Sequence, residues 1–552
     1  MMSSVSTDTI TLTGAEIIVK TLKKLGVDTI FGYPGGIVLS IYDELFKQHD
    51  IKHYLVRHEQ SAVHAAEGYA RVSGKCGVVL VTSGPGAANT VSGIANAYLD
   101  GYPVVVLTGQ VFSSLLGKDA FQEVDIIDIT KSCTKANFQV RDVNKLESTL
   151  VNAFLTALSG KQGPVVVDLV KDIFTQNAEF KSNTVVNNLE YTGTDKEDIK
   201  QVLGELCNAE KPVIVAGGGV VTSNAAKELT AFARMLNIPV VNTMMGLGTY
   251  PYDDKNYAGM IGIFGTRAAN KTVRESSLVF SVGARFNDRV TCCFNNNELS
   301  RKFIQLDINE KEISRIIPAH LALIGDAGKI LAELTDEFKN GEFKFDNLSR
   351  EKWCSEVREY VSQNPKPVKR SNLLHSFEVI QHIYEYCKSF NPVVSTEVGQ
   401  HQMWTAQNYK FSAPRKFLTS GGSGTMGFGL PAAIGASIAL NKEPVICISG
   451  DGSFQMNSQE MATCVDYNLP VKIFILNNGY LGMVRQLQQK FCEGRYSQTK
   501  ISNPDFVKLA QSYGILGLRV NQVSEINRVL DEVFNTSGPV VVDFVVEPEE
   551  VV

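Results

Sequence analysis

Long apolar runs are missing from this 552-residue chain: no stretch of eighteen uncharged apolar residues occurs, so no membrane-spanning helix is expected. A surplus of either charge is missing too. Lys+Arg number 53 and Asp+Glu 58, and a net charge of -5 gives no electrostatic reason to bind nucleic acid or an anionic membrane. C-x-x-C spacing is absent as well. The ten cysteines are scattered, and the one close pair, Cys292 and Cys293, consists of neighbours that ordinarily do not bridge, which points to reduced thiols. The opening MMSSVSTDTITLTGAE has neither a basic n-region nor an apolar h-region, and no Arg-rich transit pattern, so a soluble cytoplasmic protein is expected.

What remains is a globular composition, 44% hydrophobic and 20% charged, too long for one core and sufficient for about three domains. Many of the 45 glycines directly follow apolar runs. The run GVVLVTSGPG (77–86) is followed by PVVVLTG at Pro103; PVICISGDG (444–452) is followed by PVKIFILNN at Pro470; PVIVAGGG (212–219) is followed by PVVNT at Pro239. Short β-branched runs alternating with longer mixed segments read as three βαβ units of buried parallel strands. GPVVVD occurs at 163–168 and again at 538–543, so the first and last thirds read as copies of one α/β domain flanking a different one. Polar segments at 181–197 and roughly 340–371 read as surface linkers. The expected fold class is α/β with three doubly wound parallel-sheet domains, over 8–182, 190–345 and 370–552.

The strongest chemical signal is Gly450-Asp451-Gly452, then twenty-four residues, then Asn477-Asn478. Both ends fall just after buried strands, where α/β proteins bind ligands. Asp451 offers an anionic oxygen and Asn478 an amide oxygen, a set that suits Mg²⁺ shared with a diphosphate, and the glycines let backbone amides approach. Either dipeptide alone is equally an ordinary turn. The pair, so spaced, resembles the diphosphate anchor of thiamine diphosphate enzymes. The complementary feature would be a carboxyl beside the aminopyrimidine ring, and Glu59 in VRHEQSAVHAAEGYAR is the candidate. Hydrogen-bonded to the ring nitrogen it would favour the imino tautomer, whose nitrogen removes the thiazolium C2 proton. Taken alone, Glu59 also reads as a helix N-terminal carboxylate.

Collinear segments from about residue 10 onward, among them FGYPGG (31–36), TSGPGAAN (82–89), DAFQEVD (119–125), VGARFNDRV (282–290), VGQHQMWTAQ (398–407), TSGGSGTMGFGLPAAIGA (419–436) and LNNGYLGMVRQ (476–486), resemble the large catalytic subunits of the acetolactate synthase (acetohydroxyacid synthase) family. That resemblance implies pyrimidine-binding, central FAD-type and diphosphate-binding domains. It also implies decarboxylation of pyruvate and transfer of the two-carbon unit to a second 2-oxo acid, pyruvate or 2-oxobutyrate, in branched-chain amino-acid synthesis.

By that resemblance Glu59 is the activating carboxylate, Gly36 lies near the reacting carbon, and Phe121 and Gln122 line the substrate pocket. Met426 supports the bent cofactor, with Val398, Gln400, His401, Gly452 and Ser453 around it. Asp451, Asn478 and the Tyr480 carbonyl ligate Mg²⁺. Gly217, Gly218, Gly219, Thr243, Arg285, Asp307, Asp326 and Lys161 are the candidates for FAD, a structural cofactor because the reaction transfers no net electrons. Arg289, Met483, Leu487 and Lys135 are the substrate-contacting candidates, Arg289 through a bidentate grip on a carboxylate. The resemblance further implies a cofactor site shared between subunits, hence a homodimer or homotetramer, with a small regulatory subunit as a further partner. Other thiamine diphosphate lyases or oxidases, and a non-catalytic cofactor-binding regulator, are the alternatives.

Four positions depart from the family pattern. Leu487 stands for the usual Trp, Phe264 for a His, Lys161 for an Arg and Asn287 for the first Asp of an Asp-Asp-Arg trio. The first predicts weaker preference for 2-oxobutyrate over pyruvate; the others predict looser FAD binding.

Overall fold

The computed structural model describes residues 9–181, 193–291, 301–369 and 371–552. The pair Cys292 and Cys293, and 182–192 of the first expected linker, lie outside the described residues. In the first domain β1 (Thr9–Thr13) belongs to a small antiparallel ribbon. The main sheet holds β2 (Thr29–Tyr33), β3 (Lys52–Leu55), β4 (Gly77–Val81), β5 (Val104–Gln110), β6 (Ala136–Val140) and β7 (Val165–Val170), and β8 (Asn177–Lys181) completes the ribbon. The six main strands are parallel in the order β3-β2-β4-β5-β7-β6. Three of its helices matter below: α1 (Glu59–Ser73), α2 (Val91–Asp100) and α3 (Leu146–Leu158).

The central domain contains β9 (Pro212–Ala216), β10 (Val240–Asn242), β11 (Tyr257–Met260), β12 (Leu278–Val282), β13 (Lys302–Asp307) and β14 (Leu321–Ile324), parallel in the order β11-β10-β9-β12-β13-β14. The chain runs outward on one side from β9, then on the other from β12, so a topological switch point lies between those two strands. The expected surface linker at 340–371 is different in the structure. Residues Asn347–Ser362 form a helix, α4, whose Trp353 is 1% exposed. Trp353 and Val357 share one helical face and pack on Val213, Val279 and Phe303, and Trp353 Nε1 donates to the Pro212 carbonyl at 2.9 Å. A polar average across this segment hid that narrow apolar stripe.

The third domain has β15 (Val393–Thr396), β16 (Phe417–Leu418), β17 (Val445–Gly450), β18 (Val471–Asn477), β19 (Leu516–Val520) and β20 (Val540–Val545), parallel in the order β16-β15-β17-β18-β20-β19. This repeats the first domain strand for strand. The two GPVVVD copies lead into β7 and β20, which take equivalent places. The two copies share one core, because α1 packs along α5 (Gly429–Ala439). Gly68 faces the Ala432 carbonyl and Gly435 the Ala65 carbonyl so closely that neither has room for a Cβ. No helix among the described residues is long and apolar enough to cross a membrane, and the eight described cysteines are free thiols.

Candidate cofactor sites

Three adjoining strands, β15, β17 and β18, end side by side at the carboxyl edge of the third sheet. Asp451 follows β17 and is buried. Its Oδ1 accepts from Gly452 N at 3.0 Å; its Oδ2 accepts from Gly479 N at 2.8 Å and from Asn503 Nδ2 at 2.7 Å. Burial pushes its carboxyl up to about 6, while these donors pull the other way. Asn478 Oδ1 accepts from Tyr480 N at 3.0 Å, and its Nδ2 donates to Gln400 Oε1 at 3.3 Å. Val398 is tied in through its carbonyl, which accepts from Ser453 Oγ at 3.0 Å.

A Cβ on Gly450 would meet His401 Nδ1 at 2.7 Å, so only glycine lets that ring lie against the strand end. His401 is buried, held neutral by desolvation, and its Nε2 has no partner among the described residues. A buried orphan nitrogen beside a carboxylate and a row of glycine amides is a donor set suited to a metal-bound diphosphate. Met483 and Leu487 stand one turn apart on α6 (Gly482–Phe491), just beyond Tyr480. Leu487 is 43% exposed.

Glu59 opens α1. The preceding His58 accepts from Gln60 N, and Gly74, at φ 73°, closes the helix. One Glu59 oxygen accepts from Asn89 Nδ2 at 3.0 Å, and the other lies against Gly86. Gly35 packs on Thr82, whereas a Cβ on Gly36 would meet open space. Thr82 Oγ1 and Ser83 Oγ are buried without partners among the described residues. FGYPGG, RHEQ and TSGPG thus meet at the carboxyl ends of β2, β3 and β4. Gln122, at φ 61°, closes over Gly84, and Phe121 beside it is 89% exposed.

Among the described residues no hydrogen bond or ion pair joins Glu59 to the Asp451 cluster of its own chain. Neighbours of Glu59 contact the third domain further back, through Arg57 N to Glu460 Oε1 at 2.9 Å and an Arg57–Asp466 ion pair.

Lys135 lies apart from the Glu59 cluster of its own chain. It stands at the start of β6, at the opposite edge of the sheet from Glu59, with its ammonium donating to the Thr156 and Ser159 carbonyls at the end of α3. The structure does not bring it to the Glu59 face. The charge satisfies helix-terminal carbonyls, a local demand that a single-residue match does not reveal.

In the central domain a cavity of about 300 Å³ opens at the switch point. Gly218, Gly219, Thr243, Arg285, Arg289, Asp307 and Asp326 line it, with Lys161 from the first domain and Gly421 from the third. Gly217 packs behind the wall against Ala284, and Gly219 N donates to the Gly283 carbonyl at 2.9 Å, drawing the two turns together. Arg285 Nη1 donates to the Leu99 carbonyl at 2.6 Å. Burial, and then the Arg285 charge, lower the Lys161 ammonium, while Glu312 and Asp307 offset this. Asp326 caps the following helix through Lys329 N, and Arg289 pairs with Asp288 at 3.6 Å. Three cations, several glycines and carboxylates that include Asp307 and Asp326 in a switch-point crevice suit a dinucleotide. Of the departures, Asn287 lines this cavity and the Phe264 carbonyl accepts from Gln407 Nε2 at 2.9 Å.

Asn503, Asn457 and Glu397 also serve these clusters, and the sequence assigned none of them a role, although Asn457 and Asn503 lie in segments that match the family pattern. Each acts through contacts remote in sequence.

The fold and the paired strand-end clusters define a thiamine pyrophosphate enzyme. Family models match for the N-terminal TPP binding domain over residues 12–129, the central domain over 199–334 and the C-terminal TPP binding domain over 397–544. Among curated proteins the chain is 42% identical to the acetolactate synthase large subunit of Haemophilus influenzae, covering 98% of this chain and 95% of that protein. It is 42% identical to the isozyme 3 large subunit of Escherichia coli K12 (94% and 92% covered) and 41% identical to the isozyme 2 large subunit (96% and 94%). The chain belongs to the acetolactate synthase large-subunit family.

Proposed function

We propose that this chain catalyses acetolactate synthesis: one pyruvate loses CO₂ and its two-carbon remainder is joined to the carbonyl carbon of a second 2-oxo acid, pyruvate or 2-oxobutyrate. The observation that carries the reading is the union of the β17 and β18 ends through Asp451 and Gly479. When bound, thiamine diphosphate supplies an acidic carbon that becomes the nucleophile and a cationic ring that takes up the electron pair as CO₂ leaves.

Asp451, Asn478 and the Tyr480 carbonyl would hold Mg²⁺, while Gln400, His401, Gly452, Ser453 and the Val398 backbone would surround the diphosphate. Met426 would support the middle of the cofactor. Glu59 would hold a proton at the pyrimidine nitrogen, and the open space at Gly36 would lie beside the reacting carbon. Phe121, Gln122, Met483 and Leu487 would wall the substrate pocket and exclude water; Arg289 would grip the acceptor's carboxylate.

FAD would occupy the switch-point crevice on Gly217, Gly218, Gly219, Thr243, Arg285, Asp307, Asp326 and Lys161, in a structural role. A homodimer that completes each site from two subunits, and pairing of dimers into a tetramer, go with the resemblance to the acetolactate synthase family; among the described residues no hydrogen bond or ion pair joins Glu59 to the Asp451 cluster of its own chain. Relatives named "large subunit" support a small regulatory partner. A cytoplasmic location fits the free thiols.

Purified protein incubated with pyruvate, thiamine diphosphate and Mg²⁺, with and without FAD, should release CO₂ and form acetolactate. Glu59→Gln should lower kcat by at least about a hundredfold. Undiminished turnover by that variant would overturn the reading. A flavin spectrum that pyruvate does not bleach under anaerobic conditions would separate it from an oxidase.

A further inference from the structure

The turn bearing Met426 is held at the next residue, from both sides. Gly427 N donates to Glu397 Oε2 at 2.6 Å, and the Gly427 carbonyl accepts from Asn457 Nδ2 at 2.6 Å. Gly427 has φ 89°, and a Cβ there would meet Asn457 Nδ2 at 2.8 Å, so the turn and the carboxamide fit only with glycine between them. Glu397 and Asn457 are 0% and 2% exposed. Phe428 follows, fully buried, with the His64 ring edge-on at 5.4 Å and the Arg71 guanidinium 5.0 Å from its centroid. Asn457 does a second thing: its Oδ1 accepts from buried Ser61 Oγ at 3.1 Å, two residues beyond Glu59. One side chain therefore bonds both the Met426 turn and the first turn of the Glu59 helix.

We propose that Asn457, acting with Glu397, is a positioning residue that fixes the Met426–Gly427 peptide relative to the start of α1 and so sets how Met426 meets the cofactor. The proposal rests on the reading of Met426 as the cofactor's support. Neither side chain needs to touch substrate or cofactor. The amide between Met426 and Gly427 has one rotational setting that satisfies Glu397, and the following carbonyl one that satisfies Asn457. Losing either lets Met426 shift against a diphosphate that stays anchored at Asp451 and Asn478.

The test is hydrogen–deuterium exchange at C2 of bound thiamine diphosphate, read by acid quench and proton NMR in the Mg²⁺-loaded full-length protein, beside kcat, pyruvate KM and cofactor affinity. Asn457→Ala and Glu397→Ala should slow exchange and kcat by about tenfold or more, with KM and cofactor affinity changed by no more than about threefold. Glu397→Gln keeps an oxygen for Gly427 N–H and should recover most of the rate. Asn457→Asp, equal in size, keeps the Ser61 acceptor but loses the donor to Gly427; it should behave like the alanine variant, and it serves if that one fails to fold.

Wild-type exchange in Asn457→Asp and Glu397→Ala would overturn the proposal, as would a loss of cofactor affinity that matches the loss of kcat. Met426→Ala separates the two levels. If it slows exchange while the clamp variants do not, the clamp is wrong and the Met426 reading stands; if it leaves exchange unchanged, both fall.

Discussion

Asp451 and Gly479 stand twenty-eight positions apart, and the carboxylate of the first accepts the N–H of the second at 2.8 Å, joining the ends of two neighbouring strands. A carboxylate so placed serves as a hinge pin for the turn and as the one anionic ligand of the proposed Mg²⁺ site. Asp451→Asn keeps the shape and removes the charge. Calorimetric titration with thiamine diphosphate at fixed Mg²⁺ should show affinity lower by at least about a hundredfold, and the Mg²⁺ dependence should largely vanish. Binding as tight as wild type would remove Asp451 from the metal site.

Glu397 carries a pH signature of its own. Burial pushes its carboxyl up to about 7, against an ordinary value near 4.5. The folded protein therefore holds a proton that the unfolded chain releases, and stability attributable to this group falls as pH rises from about 4.5 to about 7, then levels off. Glu397→Gln removes the dependence. The stability difference between variant and wild type should move in the variant's favour across that window by up to about 3 kcal/mol, measured by denaturant unfolding at several pH values. A difference that stays flat from pH 5 to 8 would contradict the burial argument.

Central strands such as β4, β5, β7 and β9 were legible because they are short β-branched runs buried on both faces, whereas edge strands such as β3 and β6 carry no such run, and the duplication was legible because GPVVVD recurs at equivalent places in two sheets. Asp451 with Asn478 was legible because both follow such runs at a set distance. The stripe of Trp353 and Val357 on α4 was not, since two apolar positions in a polar helix do not raise its average. Nor was the bond from Ser61 to Asn457, which spans 396 positions. The Lys135 ammonium shows another contact hidden from the sequence: it donates to two helix-end carbonyls, those of Thr156 and Ser159.

The contact between α1 and α5 is a prediction about packing. Gly435 and Gly68 allow the two helices to touch backbone to backbone, and the shared core of the first and third domains closes around that contact. Gly435→Ala would drive a methyl group into the Ala65 carbonyl, with buried backbone on both sides and no flexible group to yield. The expected cost is at least about 1–3 kcal/mol, overriding the gain in helix propensity from alanine. Denaturant unfolding followed by circular dichroism should show the loss, and a more stable variant would mean that the helices are further apart.

Leu487 makes the prediction closest to substrate choice. It lies one turn beyond Met483 on α6 and is 43% exposed, where the family pattern carries Trp. On the proposed pocket wall a broad indole would cover the extra methyl of 2-oxobutyrate, whereas leucine would leave part of that contact to water. The difference concerns one methylene, which a well-packed pocket distinguishes by about 1–3 kcal/mol. Wild type should therefore yield mainly acetolactate when pyruvate and 2-oxobutyrate compete at equal concentration. Leu487→Trp should raise the share of 2-aceto-2-hydroxybutyrate by about tenfold or more, with little change in kcat on pyruvate alone. Product analysis by mass spectrometry reads both outcomes. A wild-type mixture dominated by 2-aceto-2-hydroxybutyrate would show that selection of the second substrate resides elsewhere on the pocket wall.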